Sequence, residues 1–230
     1  MGLITLYGLG NILGAGIYVL VGKVVGVAGV HAPLAFVVAA LVAALTAFTY
    51  GELAARYPVS AGEAVYVNEA FGIAALSLLV GLMIALAGMV SAAALARGFV
   101  GYLNVFFEAP VFLTITLLVI AIGAVAAWGI GESARVAAAF TLIEIGGLLL
   151  IVYVARESFA ALPAQAEAIF VPPSTDAWQA TMLGAFLAFY AFIGFEDMVN
   201  VAEEVERPER NLPFGILVAL IVSTALYFLV

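Results

Sequence analysis

The chain has 230 residues, 67% of them hydrophobic and 10% charged, against about 45–50% and about 25% in a typical soluble domain. That leaves too few polar side chains to cover a globular surface, and it excludes disorder, which requires an apolar-poor chain. The absence of cysteine and the single histidine remove disulfides, thiolate chemistry and histidine metal pairs, and a net charge of −8 with seven Lys and Arg excludes nucleic acid as a partner.

In chain order, residues 1–22 carry no charge, and neither do 24–51, 70–96, 109–131, 177–195 and 211–230; 136–155 is apolar except for Glu144. A helix needs about 20 apolar residues to cross about 30 Å of hydrocarbon. The pattern therefore predicts an all-α membrane protein with seven spans, at 3–22, 33–55, 68–98, 110–128, 135–155, 177–203 and 212–230, and a connection at 156–176. The runs do not alternate over about 10 residues as barrel strands do. The first lacks the basic start and cleavage site of a signal peptide. Pro33 and Pro110 open the second and fourth spans, Pro58 separates the second from the third, and Pro163, Pro172 and Pro173 lie in the connection. Pro208 and Pro213 lie at the entry to the seventh span and none falls mid-span, so any break within a span must come from glycine. Trp128 and Trp178 fall at span ends, where indole rings favour the interface. With the N-terminus inside, the inner loops hold Arg56, Arg135, Arg207 and Arg210 and the outer ones Lys23, Arg97 and Arg156, a weak bias toward that orientation.

The first span contains Gly8, Gly10, Gly14 and Gly16. Glycine costs a helix about 1 kcal/mol relative to alanine, so four invite explanation. A dinucleotide loop fails, because no strand precedes it. Close helix packing through Gly10-x-x-x-Gly14 is one reading. The other is a helix unwound near Gly14–Gly16, whose freed backbone groups must line a cavity or hold a ligand and whose following half-helix N-terminus suits a carboxylate. The sixth span has a matching weakness at Ile193-Gly194-Phe195, followed by Glu196 and Asp197. Membrane acids default to functional hypotheses, and Asn200, Glu203 and Glu204 continue the Glu196 helical face; the alternative is that the helix ends at Phe195 and these are loop charges. Two weak points 180 residues apart and five spans on are the pattern of a secondary transporter built from inverted repeats.

At these residues the chain resembles a known family. Gly8-Leu-Gly-Asn-Ile-Leu-Gly-Ala-Gly-Ile-Tyr18 resembles the first-helix signature of the amino acid–polyamine–organocation (APC) permeases. Ala191-Phe-Ile-Gly-Phe-Glu196 with Glu203-Glu204, Pro208, Arg210 and Pro213 resembles the sixth-helix signature and its loop, and Glu52-Leu-Ala-Ala-Arg56-Tyr-Pro58 with Gly62-Glu63-Ala-Val-Tyr66 the loop after the second helix. The cationic and small neutral amino acid branches look most similar. The resemblance implies a LeuT-like fold, here incomplete: seven helices of a 5+5 inverted repeat with helices 1 and 6 unwound, residues 1–155 forming the first repeat and 177–230 the start of the second.

It further implies secondary transport of an amino acid. The substrate site would be formed by Ile12, Gly14, Ala15, Gly16, Ile17, Tyr190, Ile193, Gly194 and Phe195. Backbone N–H groups near Ala15–Gly16 would take the carboxylate, the Ile12 and Ile193 carbonyls the ammonium, and Tyr190 would cover the pocket. Glu144 and Glu196 are the candidate coupling or gating residues, with a proton or sodium as coupling ion, lipid as surroundings, and neither cofactor nor metal. Many proton-coupled relatives carry a lysine in the fifth helix, whereas this chain has Glu144 there and its only lysine is Lys23. An interhelical hydrogen bond is the alternative role for Glu144. The resemblance also leads us to expect that residues 1–230 alone insert but do not transport. A seven-helix receptor or a channel is the rival class, but a retinal receptor needs a lysine in the seventh span and 211–230 has none. Ser77, Gly81, Ala85, Gly88 and Ala92 predict a small-residue packing seam on the third span, and His31 a solvated loop residue.

Overall fold

The computed structural model describes residues 2–60 and 62–230, and of Ala15 and Ala161 the backbone only. Regular structure among them is helical throughout: α1 (Gly2–Ala28), α2 (Ala32–Arg56), α3 (Gly62–Phe71), α4 (Ala74–Leu103), α5 (Val111–Trp128), α6 (Ile130–Val154), α7 (Leu162–Phe170), α8 (Thr175–Phe192) and α9 (Pro208–Leu229). Tight 3-10 turns cover Gly29–His31, Ala155–Ala161 and Glu196–Glu204. Among the described residues, six stretches are long and apolar enough to cross a membrane: Gly2–Arg56, Ala74–Leu103, Val111–Trp128, Ile130–Ala160, Thr175–Glu204 and Pro208–Leu229. The first, at 55 residues, holds both α1 and α2.

Several boundaries differ from the sequence reading. The third span begins at Ala74 rather than at 68, because Gly72 takes a left-handed φ of +64° and its N–H closes onto the Asn68 carbonyl, ending α3. The connection after α6 is folded, with its own helix α7. Pro213 lies inside α9, which starts at Pro208 and so uses its first proline where a missing N–H costs least. The Ser174 hydroxyl caps α8 by accepting from the Ala177 N–H at 3.2 Å.

The buried core is made mainly by α1, α2, α8 and α9, joined by Met198, Val199 and Ala202 of the 3-10 segment and Leu148 of α6. On α2, Ala35, Ala39, Ala43, Ala47 and Ala54 with Gly51 form an almost side-chain-free seam against which α8 and α9 approach closely. Small residues were expected to do this on the third span, but there Ala85, Gly88 and Ala92 are exposed and only Ser77 and Gly81 find a neighbour, Ala64 of α3. His31 also departs from expectation. It is buried, and its Nδ1 lies 3.0 Å from the Ile169 carbonyl of α7, an acceptor that requires the proton on Nδ1.

Candidate functional site

The glycines of α1 separate by what they face. A β-carbon on Gly8 would overlap the Met198 thioether, one on Gly10 the Thr141 hydroxyl of α6, and one on Gly16 would stand 3.2 Å from the Ala191 Cα of α8. Gly8, Gly10 and Gly16 are therefore positions of close approach. Gly14 meets nothing within 4 Å and has the non-helical dihedrals φ −17°, ψ −152°. The Thr141 hydroxyl also lies 3.1 Å from the Leu6 carbonyl of α1, which holds α6 against this segment.

Opposite it, α8 stops at Phe192. Ile193 is extended (φ −63°, ψ 137°), Gly194 has φ +135°, and a 3-10 segment resumes at Glu196. The Glu196 Oε2 accepts from the Gly194 N–H at 2.7 Å, so this acid caps the break. Phe195 is buried with its ring edge-on to Tyr50, centroids 5.7 Å apart. The Tyr50 hydroxyl donates to Glu63 Oε1 at 2.8 Å, while Glu63 Oε2 and the Tyr66 hydroxyl are buried with no partner among the described residues. Burial, and then the Glu63 charge, push the Tyr66 phenol up to about 12, so it stays protonated at neutral pH. Glu203, read either as continuing the Glu196 face or as a loop charge, accepts from the Ser60 N–H at 3.3 Å, whereas the Glu52–Arg56 pair is an exposed i,i+4 contact of little weight. Tyr50→Phe would leave both oxygens of Glu63 unpartnered. We expect a loss of about 1–3 kcal/mol, read as a lower unfolding midpoint in detergent.

A cavity of 550 Å³ lies between α1, α4, α6 and α8, and Gly14, Gly16, Tyr190 and Glu144 all line it. Its walls include Leu95, Phe99 and Tyr102, with Tyr18 and Lys23 from α1. Glu144 Oε2 is buried without a hydrogen-bond partner among the described residues, while the Glu144 backbone carbonyl accepts from the Tyr18 hydroxyl at 2.8 Å. The other expected site residues stand elsewhere. Ile12 and Ile17 turn their side chains into the core, Ile193 is partly exposed, and Gly194, Phe195 and Glu196 form the α8 break without lining this cavity. The side chain of Ala15 lies outside the described residues.

One contact was not anticipated from sequence. Tyr227 of α9, buried, places its hydroxyl 2.6 Å from the Ile12 carbonyl and 2.8 Å from the Ala191 carbonyl. The only sequence signal was that it is the one tyrosine in the charge-free run 211–230.

Several apolar membrane-length helices, four of them around an open and largely apolar cavity, define a multi-pass membrane protein. A family model described as amino acid permease matches residues 3–230, and the chain belongs to this family, within the APC class. Its relatives include the branched-chain amino acid permease BcaP of Bacillus subtilis, 32% identical over 97% of this chain and 51% of the relative. The vacuolar cationic amino acid transporter 4 of Arabidopsis thaliana is 32% identical over 96% of this chain and 40% of its own length. The methylthioribose transporter of Bacillus subtilis is 29% identical over 99% and 52%. The chain spans about half the length of these relatives.

Proposed function

We propose that the protein carries an amino acid across the cell membrane by alternating access, with its N-terminus cytoplasmic and its helices arranged as inverted repeats of a LeuT-like fold. The observation that carries this reading is the cavity where Gly14, Gly16, Tyr190 and Glu144 meet beside the non-helical Gly14. Backbone N–H groups freed near Ala15–Gly16 would bind the substrate carboxylate, because a half-helix N-terminus carries partial positive charge. The carbonyls of Ile12 and Ile193 would accept from the ammonium, and Tyr190 would cover the pocket. Phe195 and Glu196 would stand on its cytoplasmic side, and Ile17 would support the second half of α1 from the core. Two of the three relatives' names, one for branched-chain and one for cationic amino acids, support an α-amino acid as the substrate.

The test is uptake of labelled amino acids by the full-length protein in liposomes. Saturable uptake with counterflow is expected, and its absence for every proteinogenic amino acid would refute the reading. Glu144, a carboxyl with an unpartnered buried oxygen facing the cavity, would carry the coupling proton. Glu144→Gln keeps shape and hydrogen-bonding capacity but removes titration. The pH dependence of uptake should disappear while binding persists; an unchanged pH profile would assign Glu144 to packing alone.

A further inference from the structure

The Tyr227 contact joins three helices at one atom. Its hydroxyl touches the carbonyls of Ile12 on α1 and Ala191 on α8, and each lies next to a departure from helical geometry. Ile12 precedes the non-helical Gly14 by two residues, and Ala191 precedes Phe192, where α8 ends. In unbroken helices these oxygens would accept from the N–H four residues on. Ala191 belongs to the last turn of α8, whose carbonyls have no intrahelical donor. A phenol has one proton, so it is shared between two acceptors and draws both toward one point. The ring cannot easily swing away, because Phe192 packs edge-on against it at a centroid distance of 5.0 Å and Phe36 packs tilted at 5.8 Å. The site is also fully inside the protein, with Tyr227 only 2% exposed, so no water competes for the carbonyls.

We infer that Tyr227 is a positioning residue of the transport site: by pinning the Ile12 and Ala191 carbonyls to one hydroxyl, it holds the two broken helices in register and aims the Ile12 oxygen at the substrate's ammonium group. This rests on the reading of the site given above. A carbonyl oxygen has two lone pairs, so Tyr227 leaves one on Ile12, which is buried beside the cavity and is not part of its wall. Without the hydroxyl, two buried carbonyl dipoles face each other unpaired and turn apart, and the ammonium loses an aligned acceptor while the carboxylate keeps its N–H groups.

The effect should therefore fall on the amine end of the ligand. The experiment uses the full-length protein with L-leucine and 4-methylpentanoate, which is leucine without its amine, and with L-arginine and 5-guanidinopentanoate as the second pair. In Tyr227→Phe, the apparent dissociation constant of the transported amino acid should rise about tenfold, equivalent to about 1.4 kcal/mol. That of its amine-free partner should move less than about twofold, equivalent to about 0.4 kcal/mol. Equal weakening of both compounds, no weakening of either, or loss of the variant from the membrane would make Tyr227 a residue of the fold only and overturn the inference. If the wild type already binds the amine-free compound as well as the amino acid, ammonium recognition itself fails, and the inference with it, before the variant is examined.

Discussion

Gly194→Ala is expected to be the most destabilising single-methyl change in the chain. Gly194 sits at φ +135°, a region that side chains rarely enter, and a β-carbon there would lie 2.5 Å from the Asn11 carbonyl oxygen and 2.6 Å from its carbon. The obstacle is backbone on both sides, so no rotamer change relieves it. Backbone strain of about 1–3 kcal/mol and overpacking of about 1–3 kcal/mol act together. Relief requires α1 to move off the α8 break, which also pulls on the Gly194 N–H to Glu196 bond. Size-exclusion profiles and unfolding midpoints of the detergent-solubilised protein measure the effect. Gly123→Ala on α5, where a β-carbon meets nothing within 4 Å, is the control and should be neutral or slightly stabilising. Equal midpoints for the two variants would show that α1 and the break do not meet as described.

Gly16→Val is expected to weaken amino acid binding severely while the protein still inserts. The β-carbon would stand 3.2 Å from the Ala191 Cα, and the two γ-methyls of valine, stiff at χ1, add to it. Helix α1 is then pushed away from α8, and the cavity wall that Gly16 lines is filled where a carboxylate would approach backbone N–H groups. Affinity should fall about a hundredfold, equivalent to about 2.8 kcal/mol, toward the upper end of overpacking costs of about 1–3 kcal/mol. Gly16→Ala should fall between the two. Binding isotherms with L-leucine and L-arginine on the full-length protein provide the measurement, and wild-type affinity in the valine variant would remove Gly16 from the site.

Much of the architecture could be read from the residues because crossing a bilayer is a local requirement. About 20 uncharged apolar residues suffice, so the runs between Lys23, Glu52, Arg97, Glu132 and Asp176 announced the long helices without any knowledge of their neighbours. The weak point at Gly194 was legible for the same reason: glycine followed at once by two acids within a span is locally anomalous. Gly14, Gly16 and Glu144 could be named as candidates in this way and Tyr190 through the family resemblance, and the structure brings these four to one cavity.

What the residues could not reveal is who faces whom. The third span's small residues suggested a seam, but exposed faces and packed faces have the same composition in a membrane protein, and the tight seam lies on α2. His31 looked like a loop residue until α7 folded over it. Glycines eight residues apart on α1 look alike in sequence, yet Gly8 packs on Met198 and Gly16 on Ala191 while Gly14 stays open. Tyr227 is the clearest case. A phenol in an apolar run reads as packing, and its partners, Ile12 and Ala191, are 215 and 36 residues away and offer backbone oxygens that every residue possesses. Composition alone thus determined that the chain crosses the membrane and roughly where its helices are weak. Only the tertiary structure decided which freed carbonyls are taken from within, because hydrogen-bond partners across helices depend on register and rotation, and these arise from side-chain fit over the whole bundle.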